Sequence, residues 1–403
     1  MTAEQTVLLQ LIRAALTDTP VELSSEAVID WRAVAKEAAQ QAVSLLAFDS
    51  AAKVAKHIPA DVYARWTSLA LSAMTKDARI GGIQHELTNI LSENGYAYVI
   101  LKGAASAAYY PKAELRTQGD VDFLINPTQS EEILALLRQN GYVAEDIPSD
   151  HHTVLKKAGV VLEMHFCEPA IPQGHIGDKI RAFLQDNIHT PQTLNNGTHD
   201  FYAPSDARHG LILLLHSQHH MLSEGLGLRH LCDWACFVQK TAANPFWEDL
   251  IPFIKEIGLY TYTSVITQVC AIYFGTPLPD WVTSAERSLV ADLMEDVLTG
   301  GNFGKKDLKR ARSGMMITHS GSNDTKHSRL YYLYHTLINA VKMMYPSVNR
   351  FPVLYPVFAI KIIVQYTLKV ARGERLPIGE LASAANERRS VYHKLHIFEV
   401  EKL

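Results

Sequence analysis

The sequence lacks a long uninterrupted apolar run, a close cysteine pair and a strong excess of either charge. Each absence excludes something. A membrane-spanning helix needs about 20 consecutive apolar residues, and no stretch reaches that length, so no stable membrane insertion is expected. Glu4 and Arg13 flank no segment typical of a secretion signal. The four cysteines, Cys167, Cys232, Cys236 and Cys270, form no Cys-x-x-Cys pair. Cys232 and Cys236 stand one helical turn apart and read as core packing. A reducing, cytoplasmic location is expected. The net charge is only −4, so no bulk nucleic-acid binding is expected, although a local basic cleft remains compatible with it. No repeat period is visible.

What is present is an ordinary globular balance, 47% apolar and 20% charged over 403 residues. That is enough chain for two or three domains. The pattern divides it into an N-terminal helical region (1–94), an α/β module (95–203) and a C-terminal helical domain (204–403). The fold class is therefore α+β, a small mixed sheet set between helical regions. In the first region, apolar residues recur at helical spacing from Val7 to Leu16. Ser24 or Ser25 is positioned to cap a second helix carrying Val28, Ile29 and Trp31. A longer helical stretch runs from Asp61 to Asn94, and Gly81-Gly82 predicts a kink or break in it.

The texture then changes. Ala97 to Leu101 is a short apolar, partly β-branched run and reads as a strand. Ala104 to Tyr110 suits a short helix stopped by Pro111. A second strand follows at Asp120 to Ile125, then a helix from Ser130 to Asn140 and a strand start at Tyr142. His152 to Lys157 and Val160 to Phe166 read as two strands turning at Ala158-Gly159. From Pro204 onward helices return: 208–222, 226–240, 245–257, 260–274 and 284–298. Residues 299–326 are rich in Gly, Ser and Lys and read as loop. Helices are expected again at 327–345, 354–371 and 378–391. The apolar run from Phe351 to Val370 carries Lys361 and Lys369. Divided by Pro352 and Pro356, it reads as a buried helix pair rather than a membrane-surface helix.

Chemistry concentrates at Gly119-Asp120-Val121-Asp122. Side chains alternate along a strand, so Asp120 and Asp122 share one face while Val121, Phe123 and Ile125 take the other. Two adjacent carboxylates repel unless a cation or a shared proton sits between them. Taken as a cation site, the pair points to a divalent ion with oxygen ligands, Mg²⁺ or Mn²⁺. Glu163, on a neighbouring strand, is the third acid. His165 shares its face, placed to touch substrate or support the ion. Lys102 offers a point charge and Arg116 a forked one for phosphate. Gly103, without a Cβ, allows phosphate oxygens close to the backbone.

Taken together, Leu101-Lys102-Gly103, Arg116, Gly119-Asp120-Val121-Asp122 and Leu162-Glu163-Met164-His165 resemble the nucleotidyltransferase superfamily of polymerase-β-like folds. More narrowly they resemble its uncharacterised branch with a Leu-Lys-Gly start and a Glu-x-His finish. The first turn reads Gly103-Ala104 where the superfamily has Gly-Ser or Gly-Gly, and the gap to Asp120 is longer. A fainter likeness extends to His216, Arg229 and Asp233. The resemblance implies a mixed sheet flanked by helices and two divalent ions. It also implies transfer of a nucleoside monophosphate from a nucleoside triphosphate to a small-molecule or protein acceptor. By that reading Asp120, Asp122 and Glu163 hold metal, while Lys102, Gly103, Arg116 and His165 meet substrate. A protein-modifying enzyme and a non-catalytic nucleotide-binding scaffold are the alternatives.

Two further histidine groups stand out. His151 and His152 open the strand before Glu163; His152 reads either as pointing into the cleft or as a surface residue, the surface role being at least as good a reading. His216-Ser217-Gln218-His219-His220 places His216 and His220 on one helix face, but the glutamate of His-Glu-x-x-His is missing. No cysteine or acid stands at a recognised ligand spacing, so zinc is the weaker reading. These histidines, with Arg229 and Asp233, read as a wall of the cleft. The plain alternative for Arg229 and Asp233 is an i,i+4 ion pair.

Overall fold

The computed structural model describes residues 1–23, 29–145, 151–172, 174–223, 225–306, 337–338, 341, 345, 348, 352–372 and 394–397. Four helices open the chain: α1 (Ala3–Thr17), α2 (Trp31–Gln40), α3 (Ser44–Lys53) and α4 (Ala60–Glu93). The module follows as β1 (Tyr98–Ile100), α5 (Ala104–Ala107), β2 (Val121–Ile125), α6 (Ser130–Gln139), β3 (Val143–Ala144), β4 (His152–Lys157) and β5 (Val160–His165). Then come α7 (His175–Leu184), β6 (Gln192–Asn195) and β7 (Asp200–Ala203). The rest is helical: α8 (Asp206–Leu222), α9 (Leu228–Thr241), α10 (Trp247–Glu256), α11 (Tyr260–Phe274), α12 (Arg287–Gly300) and α13 (Tyr355–Ala371).

The α+β expectation holds. Five strands form a mixed sheet in the order β1-β2-β5-β4-β3. β2 runs parallel to β5 and antiparallel to β1; the other pairings are antiparallel. The tight β4–β5 turn is made by Ala158 (φ 48°) and Gly159 (φ 77°), the left-handed pair that matches strand twist. β6 and β7 form a separate antiparallel hairpin. This hairpin and α7 were not expected from the sequence, although Asn195-Asn196-Gly197 is a turn signal.

The sheet separates two apolar cores, and alternation along β2 decides which residues enter each. Val121, Phe123 and Ile125 join Leu162 and Met164, with Ile80, Leu87 and Leu91 of α4 and Ile133 and Leu137 of α6. Leu124, with Val99 and Leu101, faces the larger core instead. There α1 packs against α11, and α11 against α9, so the helices on either side of the module share one interior. Asp122 lies on this second face, between the sheet and the helices that follow it.

Several local expectations are corrected. α4 is unbroken across Gly81-Gly82. Two glycines cost a helix about 1 kcal/mol each. Val62 and Trp66 at one end and Ile80, Leu87 and Leu91 at the other anchor it into both cores. α2 begins at Trp31, capped by Asp30, whose Oδ1 accepts from the N–H groups of Arg32 (3.0 Å) and Ala33 (3.1 Å). Ile29 precedes that helix, and Ser24 and Ser25 lie outside the described residues. α12 continues to Gly300. The helix expected at 354–371 is present, but it is not buried: Val357, Ile360, Ile363, Val364 and Leu368 are exposed. Its expected partner at 378–391, most of the helix expected at 327–345, and the loop beyond 306 lie outside the described residues.

Candidate active site

The candidate site is built where β2 and β5 run side by side. Their parallel register sets Asp122 opposite Glu163. β4 sets His152 opposite His165 and Val154 opposite Glu163. Asp122 is only 3% exposed. Its Oδ1 takes two donors: His165 Nε2 at 2.9 Å and Lys102 Nζ at 3.1 Å. The same His165 nitrogen lies 3.4 Å from Glu163 Oε2. One imidazole N–H thus stands between two carboxylates from neighbouring strands.

The charges follow from this geometry. Burial alone would raise the Asp122 carboxyl, but Lys102 and His165 outweigh it and hold it well below the usual carboxylate range. His165 also holds Glu163 down, against burial. Burial would strip the proton from His165 itself. The two carboxylates outweigh that, and its pKa is raised above the ordinary histidine value. Asp120 sits at the exposed mouth of β2. Its pKa is raised, first by desolvation and then by Asp122 and Glu163, with Lys102 opposing.

Local backbone explains Lys102 and Gly103. The Leu101 N–H donates to the Asp122 carbonyl (2.9 Å), holding the β1 exit against β2. Gly103 turns the chain at φ +62°, and a Cβ there would lie 3.1 Å from Gln118 Oε1. Glycine is the residue that tolerates this turn.

The structure gathers Lys102, Glu163 and His165 on one cavity of about 360 Å³, together with His152, His216, His219 and His220. Asp122 lies behind Lys102 and His165. Among the described residues, the trio at this site with ligand atoms mutually within 4.8 Å is His152, Glu163 and His165, not the three carboxylates. His152, for which the sequence leaves both a cleft and a surface role open, therefore belongs to the site; its place opposite His165 in a hairpin is the signal that marks it.

Arg116 is placed elsewhere. It is 6% exposed and forms a two-pronged pair with Asp233 of α9: Nε to Oδ1 at 2.7 Å and Nη2 to Oδ2 at 2.8 Å. The Tyr110 hydroxyl donates to the same Oδ1 at 2.8 Å. Asp233 thus pairs across to the module rather than within its own helix to Arg229, which corrects the i,i+4 expectation. Arg229 instead reaches toward the turn before Asp120: a Cβ on Gly119 would lie 3.8 Å from its Nη1. Asp77 of α4 was not singled out in the sequence. Its Oδ1 accepts from the Gln118 N–H at 3.2 Å, and burial pushes its pKa up to about 6. Cys232 and Cys236 are buried and free, as core residues should be.

Among the described residues, no helix is long and apolar enough to cross a membrane. No curated protein matches the chain. Among solved structures, a tRNA nucleotidyltransferase complexed with a primer tRNA and an incoming ATP analog is similar, at 14% identity over 78% of this chain and 94% of that one. Its TM-score is 0.22, too low to carry an argument. The family model for uncharacterised nucleotidyltransferases matches residues 27–275, which include the whole sheet and the acids Asp120, Asp122 and Glu163, and the chain belongs to that family.

Proposed function

We propose that this protein is a divalent-metal-dependent, cytoplasmic nucleotidyltransferase. It moves a nucleoside monophosphate, with ATP the first donor to test, from a nucleoside triphosphate to a hydroxyl or other nucleophile on a small molecule or protein. The observation that carries this reading is the side-by-side register of Asp122 and Glu163, with Lys102 bound to Asp122 and His165 to both. In this reading residues 95–203 are the catalytic module and 1–94 and 204–403 the helical regions around it.

Asp122 and Glu163, paired across β2 and β5, with Asp120 just before β2, offer the hard oxygen donors that Mg²⁺ or Mn²⁺ takes. A bound ion supplies charge neutralisation along the triphosphate. The chain's own residues do the rest. Lys102 stands at the cavity wall as a point charge for phosphate. Gly103 lets the backbone approach it. His165, its Nε2 set between two carboxylates, fixes their orientation, and in its protonated form the Nδ1 hydrogen is the one left to donate to a phosphate oxygen. Glu163 is held ionised and partly open to the cavity, placed to accept the proton of the attacking group. That attack forms an oxygen–phosphorus bond at the α-phosphate, breaks the α–β bridge and releases pyrophosphate. Arg116, fixed to Asp233, acts in this scheme by positioning the turn that leads to Asp120.

The test is incubation of the purified chain with each of the four triphosphates, Mg²⁺ or Mn²⁺ and a cell extract, following pyrophosphate. Release is expected with at least one triphosphate. Asp122→Asn should lose more than the roughly 10–100-fold that removal of a supporting residue costs. Wild-type release from Asp122→Asn would refute the assigned roles.

A further inference from the structure

Three imidazoles that nucleotidyl transfer does not use meet at the far wall of the cavity. His216 and His220 stand one turn apart on α8, and His230 comes from the first turn of α9. One ligand nitrogen from each lies within 4.8 Å of the other two. The ring centroids are 4.3, 5.4 and 5.1 Å apart for the pairs 216–220, 216–230 and 220–230. Zinc–nitrogen bonds of about 2.0–2.1 Å therefore need only side-chain adjustment.

His230 stands ten residues beyond His220, at no spacing that marks it as a partner of the α8 histidines. It is 4% exposed, and its Nε2 is buried without a hydrogen-bond partner, an arrangement folded proteins rarely tolerate. Its Nδ1 accepts a long bond, 3.3 Å, from the Gly227 N–H. The proton of the neutral ring thus sits on Nε2. Coordination at Nε2 requires it to move to Nδ1, at the expense of that weak contact.

The surroundings fix the cluster on one side and leave it open on the other. Phe303 covers it, with ring centroids 4.6 Å from His220 and 5.5 Å from His230. Gly227 is locked against the neighbouring turn: a Cβ there would fall 2.6 Å from Asn302 Cα. His216 and His220 also line the cavity shared with Lys102, Glu163 and His165. Arg229 lies against the Phe303 ring, its guanidinium carbon 5.4 Å from the centroid. Its charge opposes a bare dication, and an oxyanion or hydroxide in a fourth position would offset it.

We propose that His216, His220 and His230 bind one borderline divalent ion, Zn²⁺ by preference, with a fourth position open to the cavity. Three neutral nitrogen ligands without a carboxylate favour zinc over magnesium. Burial first, and neighbouring positive charges after it, keep all three rings in the neutral form that ligates. The proposal is independent of the nucleotidyl-transfer reading.

The full-length chain is stripped with chelator, loaded with Zn²⁺ or Co²⁺, desalted, and its metal content measured. The cobalt form is also read by visible absorption. One ion per chain is expected, with the intense visible bands of tetrahedral cobalt and a zinc-dependent rise in melting temperature. The half-buried pair supplies the variants: His216→Ala and His220→Ala should each bind at least tenfold more weakly while still melting cooperatively. His152→Ala should keep the ion, separating this site from the His152, Glu163 and His165 trio. A wild-type chain that retains no ion overturns the proposal, as does retention by both α8 variants or loss in His152→Ala alone.

Discussion

Arg116 and Asp233, from the loop before β2 and from α9, close a two-pronged ion pair with bonds of 2.7 and 2.8 Å. Both side chains are about 95% buried. The pair ties the α/β module to the helical region at the point where the chain turns toward Asp120. A buried pair adds little stability over an apolar substitute, but removing one partner strands the other charge. Asp233→Asn should therefore lose roughly 3–5 kcal/mol in denaturant unfolding. Replacing both residues with apolar ones should recover much of that loss. A change within error in the single variant would show that Arg116 has found another counter-charge.

Asp77 offers a pH-resolved test. Its pKa rises from 3.8 to about 6 in the fold through burial. Such a group favours the fold below its unfolded value and penalises it as pH rises through the folded one. Asp77→Asn should therefore stabilise the chain at pH 8 by about 1 kcal/mol, discounted for partial exposure. The gain should vanish by about pH 4, near the unfolded carboxylate value. Thermal melts across that range check it, and an equal gain at both ends would contradict the assignment.

His165 carries the opposite consequence for a base. Its pKa is raised above 6.5 because the bonds to Asp122 and Glu163 outweigh burial. Its contribution to stability is complete below 6.5 and is lost as pH climbs through the folded value. Its ring resonances should titrate above 6.5, and Asp122→Asn should move the midpoint down. A midpoint below 6.5 in the wild type would mean that the ring sits between the acids uncharged.

Gly103 tests the turn at the head of the site. Its φ of +62° disfavours any side chain, so Gly103→Ala should cost roughly 1–2 kcal/mol in unfolding free energy. If the backbone there meets the triphosphate, the KM for the nucleotide should rise as well. An unchanged KM with the stability loss intact would confine Gly103 to a structural role.

The sequence by itself determined the sheet strands that carry the acids and the face each residue takes. Alternation through Val121, Asp122 and Phe123 is local, and burying the apolar set leaves the carboxylate no other side. The Leu-Lys-Gly exit and the Glu163-x-His165 spacing were legible for the same reason. Tertiary structure decided the partners. Arg116 reads as a phosphate ligand until Asp233, in a distant helix, takes both prongs of its fork. His230 completes a histidine trio only because α9 folds back on α8. The glycines of α4 leave it unbroken because its two ends are held in different cores. Each of these outcomes depends on contacts between distant parts of the chain, which leave no spacing in the sequence to read.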